Sequence, residues 1–264
     1  MFRRPPPVAL ILGGFVLVFL ILPNLIILPM SLSPSEFYFE FPPRDLTIRW
    51  YEAFFSDPRW IEALIRSIGI GLAVAMLSVV FGGLSAFALT RGRFADMPLI
   101  SGLLFAPLIV PHVILAASFY VQFARIGLLN TQLGLILAHT VLATPIVAIT
   151  VMASLKNVQR DLELAAMSLG AGYLTTFGSV VLPQVMPGIL TGAILAFITS
   201  FDELVVAVFL GGVQTTTLPM KMWEGILVES NPILPAASTI LVTLSTLPWL
   251  IIELAKRKST AANR

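Results

Sequence analysis

The sequence predicts an all-α membrane protein with six transmembrane helices, because it is poor in charge and apolar over long continuous runs. Of its 264 residues, 57% are hydrophobic and only 11% are charged. Soluble domains average roughly 45 to 50% apolar and about 25% charged residues. So few charges cannot cover the surface of a soluble 28.6 kDa particle, and the mean hydropathy is +0.94. A β-barrel would need alternating segments of about ten residues, whereas these runs are continuous.

Six apolar runs are long enough to cross a hydrocarbon core about 30 Å thick at about 1.5 Å per helical residue. Arg3 and Arg4 precede the first run, as in a signal peptide. That run is too long for the apolar region of a signal peptide and no A-x-A cleavage site follows it, so we expect a retained helix. The expected spans are residues 8–30, 67–89, 99–123, 128–155, 187–211 and 233–252.

The basic residues predict which side of the membrane each loop faces. Ten of the sixteen fall on one side of the six expected spans. The positive-inside rule makes that side cytoplasmic, so we expect both termini in the cytoplasm. The ten residues are Arg3, Arg4, Arg91, Arg93, Lys156, Arg160, Lys256, Arg257, Lys258 and Arg264.

Two patterns within the spans bear on packing. Small residues recur at four-residue spacing in the second span, which predicts a face where two helix backbones approach closely. These residues are Gly71 and Ala75, then Ser78, Gly82 and Ala86. Prolines in or beside several spans remove backbone donors and predict kinks or breaks, although proline is also simply frequent in membrane helices. They are Pro23, Pro29, Pro107, Pro111, Pro145, Pro235 and Pro248.

Two expected outer segments have distinct compositions. Residues 31–66 are rich in aromatic residues and proline, which favours an interfacial layer at the lipid headgroups. The aromatic residues include Phe37, Tyr38, Phe39, Phe41, Trp50, Tyr51 and Trp60. Residues 214–232 place Met220, Trp223 and Leu227 at three- and four-residue spacing, which predicts a short amphipathic helix.

The expected cytoplasmic loop, residues 156–182, has the pattern of two short helices. Its first half places apolar residues at positions i, i+3, i+4 and i+7, one face of a helix of about ten residues. They are Leu162, Ala165, Ala166 and Leu169. Gly170 stands where this helix should stop, and a second helix is expected over residues 173–181, ended by Pro183. The pair would form a docking surface or a lid, or would simply lie on the membrane.

A longer motif runs through this loop. Residues 163–170 read E-L-A-A-M-S-L-G and, after nine further residues, positions 180–183 read V-V-L-P. The string resembles the EAA loop of permease subunits in binding-protein-dependent ABC importers, whose pattern is E-A-A-x-x-x-G, nine residues, then I-x-L-P. Leu164 occupies the position of the family's glutamate, and Glu163 precedes it by one residue, about 100° away around the helix.

The resemblance implies an ABC importer permease fold with cytoplasmic coupling helices, built as one transmembrane domain over residues 1–264 of a bacterial inner-membrane protein. It implies a heterodimer with a second permease, a cytoplasmic ATPase dimer, a periplasmic substrate-binding protein and contact with membrane lipid. The residues it assigns to ATPase coupling are Glu163, Ala165, Ala166, Gly170, Leu182 and Pro183.

The resemblance also bears on the substrate. The segments Arg49–Tyr51 and Ser200–Glu203 make the chain similar to the second permease subunit of spermidine/putrescine importers. Related subunits carry polyamines, amino-acid-like compounds, phosphonates or metal chelates, so the substrate stays open at this point.

No residue pattern supports catalysis, a resident cofactor or a metal site. The chain lacks cysteine, which excludes disulfides and thiolate chemistry. It also lacks a G-x-x-x-x-G-K-[ST] phosphate loop, so ATP hydrolysis falls to a partner. His112 and His139 have no acidic residue nearby in sequence, and we interpret each as a hydrogen-bonded packing or pathway residue. The net charge of +2 does not suggest a nucleic-acid partner.

Asp202 and Glu203 interrupt an otherwise apolar stretch in the fifth expected span. Ionisable residues at membrane depth cost about 2.5 to 3.5 kcal/mol each on insertion scales, and they usually face a bundle interior or water. We therefore expect both in the substrate pathway, with Asp202 facing the path and Glu203 supporting the helix or the partner interface. Alternatively, they lie near the outer interface or cap a broken helix there.

These observations predict a non-enzymatic permease subunit that forms half of a pathway for a small polar substrate, a polyamine or related amine. A self-sufficient channel or secondary transporter is the rival interpretation, because it would also be apolar and free of ATP motifs. The loop at residues 156–182 favours the permease, since a channel needs no docking surface. An intramembrane enzyme would require paired catalytic groups.

Overall fold

The computed structural model describes residues 7–36, 41–92, 96–229 and 232–262, which form helices and connecting turns without a β-strand. Arg3, Arg4, Arg93, Arg264 and the aromatic run Phe37–Phe39 lie outside these residues. The α-helices are α1 (Pro7–Ser31), α2 (Arg49–Ser56), α3 (Pro58–Arg91), α4 (Met97–Phe105), α5 (His112–Ile126), α6 (Gln132–Asn157), α7 (Arg160–Ser168), α8 (Tyr173–Thr176), α9 (Leu182–Phe201), α10 (Val205–Leu210), α11 (Leu218–Glu224) and α12 (Leu234–Ala262). Short 3₁₀ turns at Ala106–Leu108 and Val213–Thr215 and π-helical turns at Phe177–Val181 and Gly225–Glu229 complete them.

Long apolar helices make up a large part of the described chain. Four helical runs are each long and apolar enough to cross a membrane: Val8–Ser31, Pro58–Arg91, Gln132–Asn157 and Tyr173–Phe201. A bent pair, Met97–Leu108 with His112–Ile126, passes the same test together, and Leu234–Pro248 is a shorter apolar helix. The all-α membrane fold is therefore confirmed, whereas the count of six spans stays a prediction.

The third expected span, residues 99–123, is not straight. The helix direction changes by 101° between Leu108 and His112. Pro111 precedes α5 in an extended conformation, with φ −55° and ψ 134°. Proline has no N–H to donate to the preceding turn, so the helix stops and restarts here. Pro23, Pro29, Pro145 and Pro248, in contrast, lie inside helices that continue past them.

One compact unit consists of residues 62–221 and 245–264, and α6 contributes much of its core. The buried side chains of α6 include Leu135, Ala138, Leu142, Ala143, Val147, Val151 and Leu155. Helix α9 packs along α6, and its glycines allow the close approach. A Cβ on Gly192 would lie 2.6 Å from the Thr150 Oγ1, and one on Gly188 would collide with Ser154. This pair of helices holds the unit together.

The small-residue face of α3 packs as predicted. Ser78 and Ala86 are fully buried. A Cβ on Gly82 would lie 2.8 Å from the carbonyl oxygen of Thr144, so the backbones of α3 and α6 touch at this level. The predicted packing surface is confirmed.

A second compact unit consists of residues 1–61 and 222–244. The Trp50 indole Nε1 donates to the carbonyl oxygen of Ser33 at 2.8 Å, and the Ser31 and Tyr51 hydroxyl oxygens share a hydrogen bond at 2.7 Å. The aromatic segment after α1 is therefore partly helical and internally bonded, and its placement at the headgroups stays a prediction. The short helix expected within residues 214–232 is present as α11.

Candidate functional site

The two acidic residues of the fifth expected span lie in a gap between two helices. Helix α9 ends at Phe201 and α10 begins at Val205, so Asp202 and Glu203 occupy the break. The expected run over residues 187–211 is thus interrupted near its end. Interrupted helices place backbone and polar groups at the cavities of transporters.

Glu203 is buried, with 7% of its surface exposed. Its Oε1 accepts the backbone N–H of Val206 at 2.8 Å. That N–H lies in the first turn of α10, where no helical carbonyl is available to it. The Oε2 lies 3.1 Å from Nδ1 of His112. Glu203 therefore caps one helix and contacts the start of another.

His112 is the first residue of α5, directly after the 101° bend. The contact with Glu203 consequently joins two helix interruptions that are far apart in sequence. The side chain of His112 is about half exposed, at 48%, whereas that of Glu203 is 6% exposed. The neighbouring Asp202 is exposed, so the two adjacent carboxylates stand in different surroundings.

A second polar contact lies behind the break. The Nδ1 of His139 on α6 lies 2.9 Å from the Ser200 Oγ on α9, and both residues are buried. His139 is thus a hydrogen-bonded packing residue, as interpreted from the sequence. The contact adds a polar link between α6 and the last turn of α9.

The first helix of the loop at residues 156–182 ends as expected. Gly170 has a φ of +92°, a left-handed conformation that glycine adopts without strain. Its N–H donates to the carbonyl of Met167 at 3.0 Å, and the N–H of Ala171 donates to that of Ala166 at 3.1 Å. This hydrogen-bond pair is the Schellman motif, which satisfies carbonyls at the end of α7. Gly170 therefore sets the turn between the two halves of the loop.

The second half of the loop differs from the prediction. We expected Pro183 to end a short helix before the next span, but the helical run continues from Tyr173 to Phe201. The π-helical turn at Phe177–Val181 lies between α8 and α9, and Pro183 lies in the first turn of α9. Proline needs no amide partner in a first turn, so the prediction that it separates the two helices is wrong.

The predicted apolar stripe of α7 is largely uncovered. Leu162 and Leu169 are 46% and 90% exposed. Ala165 is exposed and Ala166 is partly exposed. In the second half of the motif, Pro183 is exposed and Leu182 is partly buried.

Glu163 has a partner within its own chain. The Arg91 Nη2, at the end of α3, donates to its Oε1 at 2.6 Å. Leu164, at the position of the family's glutamate, is 55% exposed. From the sequence, Arg91 contributed only to the predicted orientation of the chain in the membrane, and its contact with Glu163 was not predicted. A basic residue at the end of a span gave no sign of which acid it would meet 72 positions later.

Comparison with known proteins decides the family. Residues 78–257 match the binding-protein-dependent transport system inner membrane component. The chain belongs to this permease family. Membership excludes the rival interpretation as a self-sufficient channel and shows a multi-pass inner-membrane transport subunit. ATP hydrolysis belongs to a separate ATPase, and permeases of such importers also work with a second permease and a periplasmic binding protein.

Relatives of this permease differ in the substrate for which they are named. This chain is 30% identical over 257 residues to the spermidine/putrescine transport system permease protein PotC of Escherichia coli strain K12, and the match covers 96% of this chain and 97% of PotC. It is 33% identical over 202 residues to the trehalose transport system permease protein SugB of Mycobacterium tuberculosis, covering 76% and 74%. A bacterial ABC transporter involved in import of the acidic polysaccharide alginate shares the fold, with a TM-score of 0.72, 16% identity and coverage of 97% and 99%.

Proposed function

We propose that this permease forms half of the translocation pathway for a small cationic substrate of the polyamine class. The observation that carries the proposal is the exposed Asp202 beside the buried Glu203, at the point where α9 is interrupted. The charge of Glu203 already has the Val206 N–H and the His112 ring as partners. Asp202 is the carboxylate presented to a passing ligand.

The electrostatic contribution of Asp202 is large enough to select a cation. Two opposite unit charges about 4 Å apart attract by about 4 kcal/mol at an effective dielectric constant of about 20. The same pair in bulk water gains about 1 kcal/mol. An amine passing Asp202 in a partly dry path gains part of that difference, reduced by the hydration water it loses, whereas a neutral sugar gains none of it.

Sequence similarity alone supports this substrate class less strongly. PotC, named for spermidine and putrescine, is 30% identical over nearly the whole chain, but SugB, named for trehalose, is 33% identical over a shorter part. The carboxylate at the helix interruption is therefore the main argument for an amine.

Uptake by the importer reconstituted with its own partner subunits and binding protein tests the substrate. We expect accumulation of labelled putrescine that excess unlabelled spermidine suppresses and excess trehalose does not. Suppression by trehalose without accumulation of putrescine would contradict a cationic substrate and would favour a sugar.

We propose, in addition, that both termini face the cytoplasm and that residues 156–182 dock on the ATPase. The distribution of basic residues supports the orientation, and the exposed apolar stripe with the Gly170 turn supports docking. Because the chain has no cysteine, Ser35→Cys and Ser259→Cys can each be labelled alone with an impermeant thiol reagent. We expect outside labelling at position 35 only, and outside labelling at both would contradict the topology.

A further inference from the structure

The last turn of α3 contacts both halves of the loop at residues 156–182. Arg91, its final residue, pairs with Glu163 at 2.6 Å. One turn earlier, the Phe87 ring packs edge to face against Phe177, with centroids 5.3 Å apart and planes at 76°. Residues four positions apart lie on one helix face, so a single face of α3 contacts α7 and the π-helical turn that follows α8.

Arg91 also contacts the end of α6. Its Nη2 donates to the carbonyl oxygen of Val158 at 3.3 Å, and Val158 is the C-cap of α6. Carbonyl groups at a helix C-terminus lack partners and favour a cation. Glu163 lies in the first turn of α7, where a negative charge is favoured for the complementary reason. One guanidinium therefore joins three helices.

The pair is largely withdrawn from water. The side chains of Arg91 and Glu163 are 19% and 13% exposed. Fully exposed ion pairs contribute little because water screens them and both side chains lose freedom. Partial burial and a second acceptor at Val158 distinguish this contact from such pairs, and they make its geometry well defined.

We propose that Arg91 is a positioning residue for energy coupling, which ties the first loop helix to α3 so that movement of the loop is carried into α3. The inference rests on the proposed docking of the loop to the ATPase. Arg91 and Glu163 are 72 positions apart, so motion reaches α3 through side-chain contacts and not along the chain. Glu163 contacts Arg91 within the subunit, and the exposed Leu164 is the neighbouring residue that contacts the ATPase.

Two fluorescent reporters can separate motion of the loop from motion of α3. Leu174, in α8, is 82% exposed, and Met76, on α3 and away from the loop, is 65% exposed. Each is replaced by cysteine in turn, labelled with an environment-sensitive fluorophore before assembly, and followed in the reconstituted importer on addition of ATP with vanadate. With Arg91 present, we expect both reporters to respond.

In Arg91→Gln, we expect the response of the Met76→Cys reporter to fall about threefold or more, while the Leu174→Cys reporter keeps its response. Glu163→Gln should behave in the same way and provides the test if Arg91→Gln does not insert. Arg91→Lys, which keeps a positive charge and a donor near Glu163 and Val158, should retain part of the response. Arg125→Gln, which removes an exposed positive charge in the last turn of α5 outside the docking loop, is the matched control and should change neither reporter.

The outcomes separate this inference from the proposed docking. A full α3 response in both Arg91→Gln and Glu163→Gln would overturn the role of Arg91 and leave docking intact. Absence of any ATP response at Leu174→Cys in the otherwise unaltered chain would overturn docking and, with it, this inference. Equal loss with Arg125→Gln would show a general effect of charge and would also overturn the role of Arg91.

Discussion

Two regions of this permease place a glutamate that is wholly or partly buried beside an exposed neighbour. In the loop, Glu163 is paired with Arg91 at 2.6 Å and Leu164 is exposed. At the interruption of α9, Glu203 lies 3.1 Å from His112 and Asp202 is exposed. In both regions the glutamate contacts a residue on another helix, and the side chain of the adjacent residue is exposed.

The exposed neighbours differ, and this difference separates the proposed tasks of the two regions. Leu164 belongs to an apolar surface with Leu162 and Leu169, which suits contact with another protein chain. Asp202 brings a charge to a place where two helices are broken, which suits contact with a cation. An acidic residue in a motif is therefore not by itself the residue that meets the ligand or the partner.

The largest effect is expected from altering the turn within the loop. Gly170→Val forces a β-branched side chain into φ +92°, a conformation that costs even an unbranched residue about 1 to 2 kcal/mol. Displacement of α8, the helix after this turn, would prevent the loop from fitting the ATPase. We therefore expect substrate uptake to fall by about tenfold or more.

Gly172→Val is the matched control for that change. A Cβ added at Gly172 would meet open space, as at Gly170, but the φ of Gly172 is −69°. We expect uptake close to that of the unaltered protein, measured at equal amounts of inserted permease. Equal losses in the two variants would show that side-chain bulk, and not the turn, matters.

An intermediate effect is expected from Asp202→Asn, which removes the charge and keeps the shape. Loss of about 1.4 kcal/mol of attraction corresponds to a tenfold change in rate. We therefore expect putrescine uptake to fall several-fold, and at most to about a tenth of its normal rate. Asp96→Asn removes another exposed carboxylate and should leave uptake unchanged. Unaltered uptake in Asp202→Asn would remove the argument for a cationic substrate.

The smallest effect is expected from Glu203→Gln. The amide oxygen can still accept the Val206 N–H, and the amide nitrogen can face His112. We expect uptake within about threefold of normal, whereas Glu203→Leu leaves that N–H without its acceptor and costs about 1 to 3 kcal/mol of stability. Thermal unfolding in detergent and uptake at matched protein levels measure the two effects. A greater loss of uptake in Glu203→Gln than in Asp202→Asn would reverse the assigned roles.

Composition and run length were sufficient to predict the membrane fold, because burial in lipid requires long apolar helices. The small-residue face of α3 and the Gly170 stop were also predictable, since each depends on a local pattern. The motif identified the permease family for the same reason. These are features that a few neighbouring residues determine.

Features that depend on distant residues were not predictable. The partner of Glu163 lies on α3, and the partner of Glu203 lies beyond the bend at Pro111. The π-helical turn at Phe177–Val181, which precedes Pro183 in a continuous helical run, had no sequence signal. Asp202 and Glu203 were recognisable as unusual, but only the geometry distinguishes their surroundings.

Substrate transported per ATP hydrolysed, measured in the reconstituted importer, tests the division of tasks between the two regions most directly. For Asp202→Asn, we expect ATP hydrolysis stimulated by the binding protein to persist while putrescine uptake falls, so the ratio decreases. For Gly170→Val, we expect stimulated hydrolysis and uptake to be lost together, because the loop no longer engages the ATPase. Loss of stimulated hydrolysis in Asp202→Asn, or normal stimulated hydrolysis and uptake in Gly170→Val, would contradict this division of tasks.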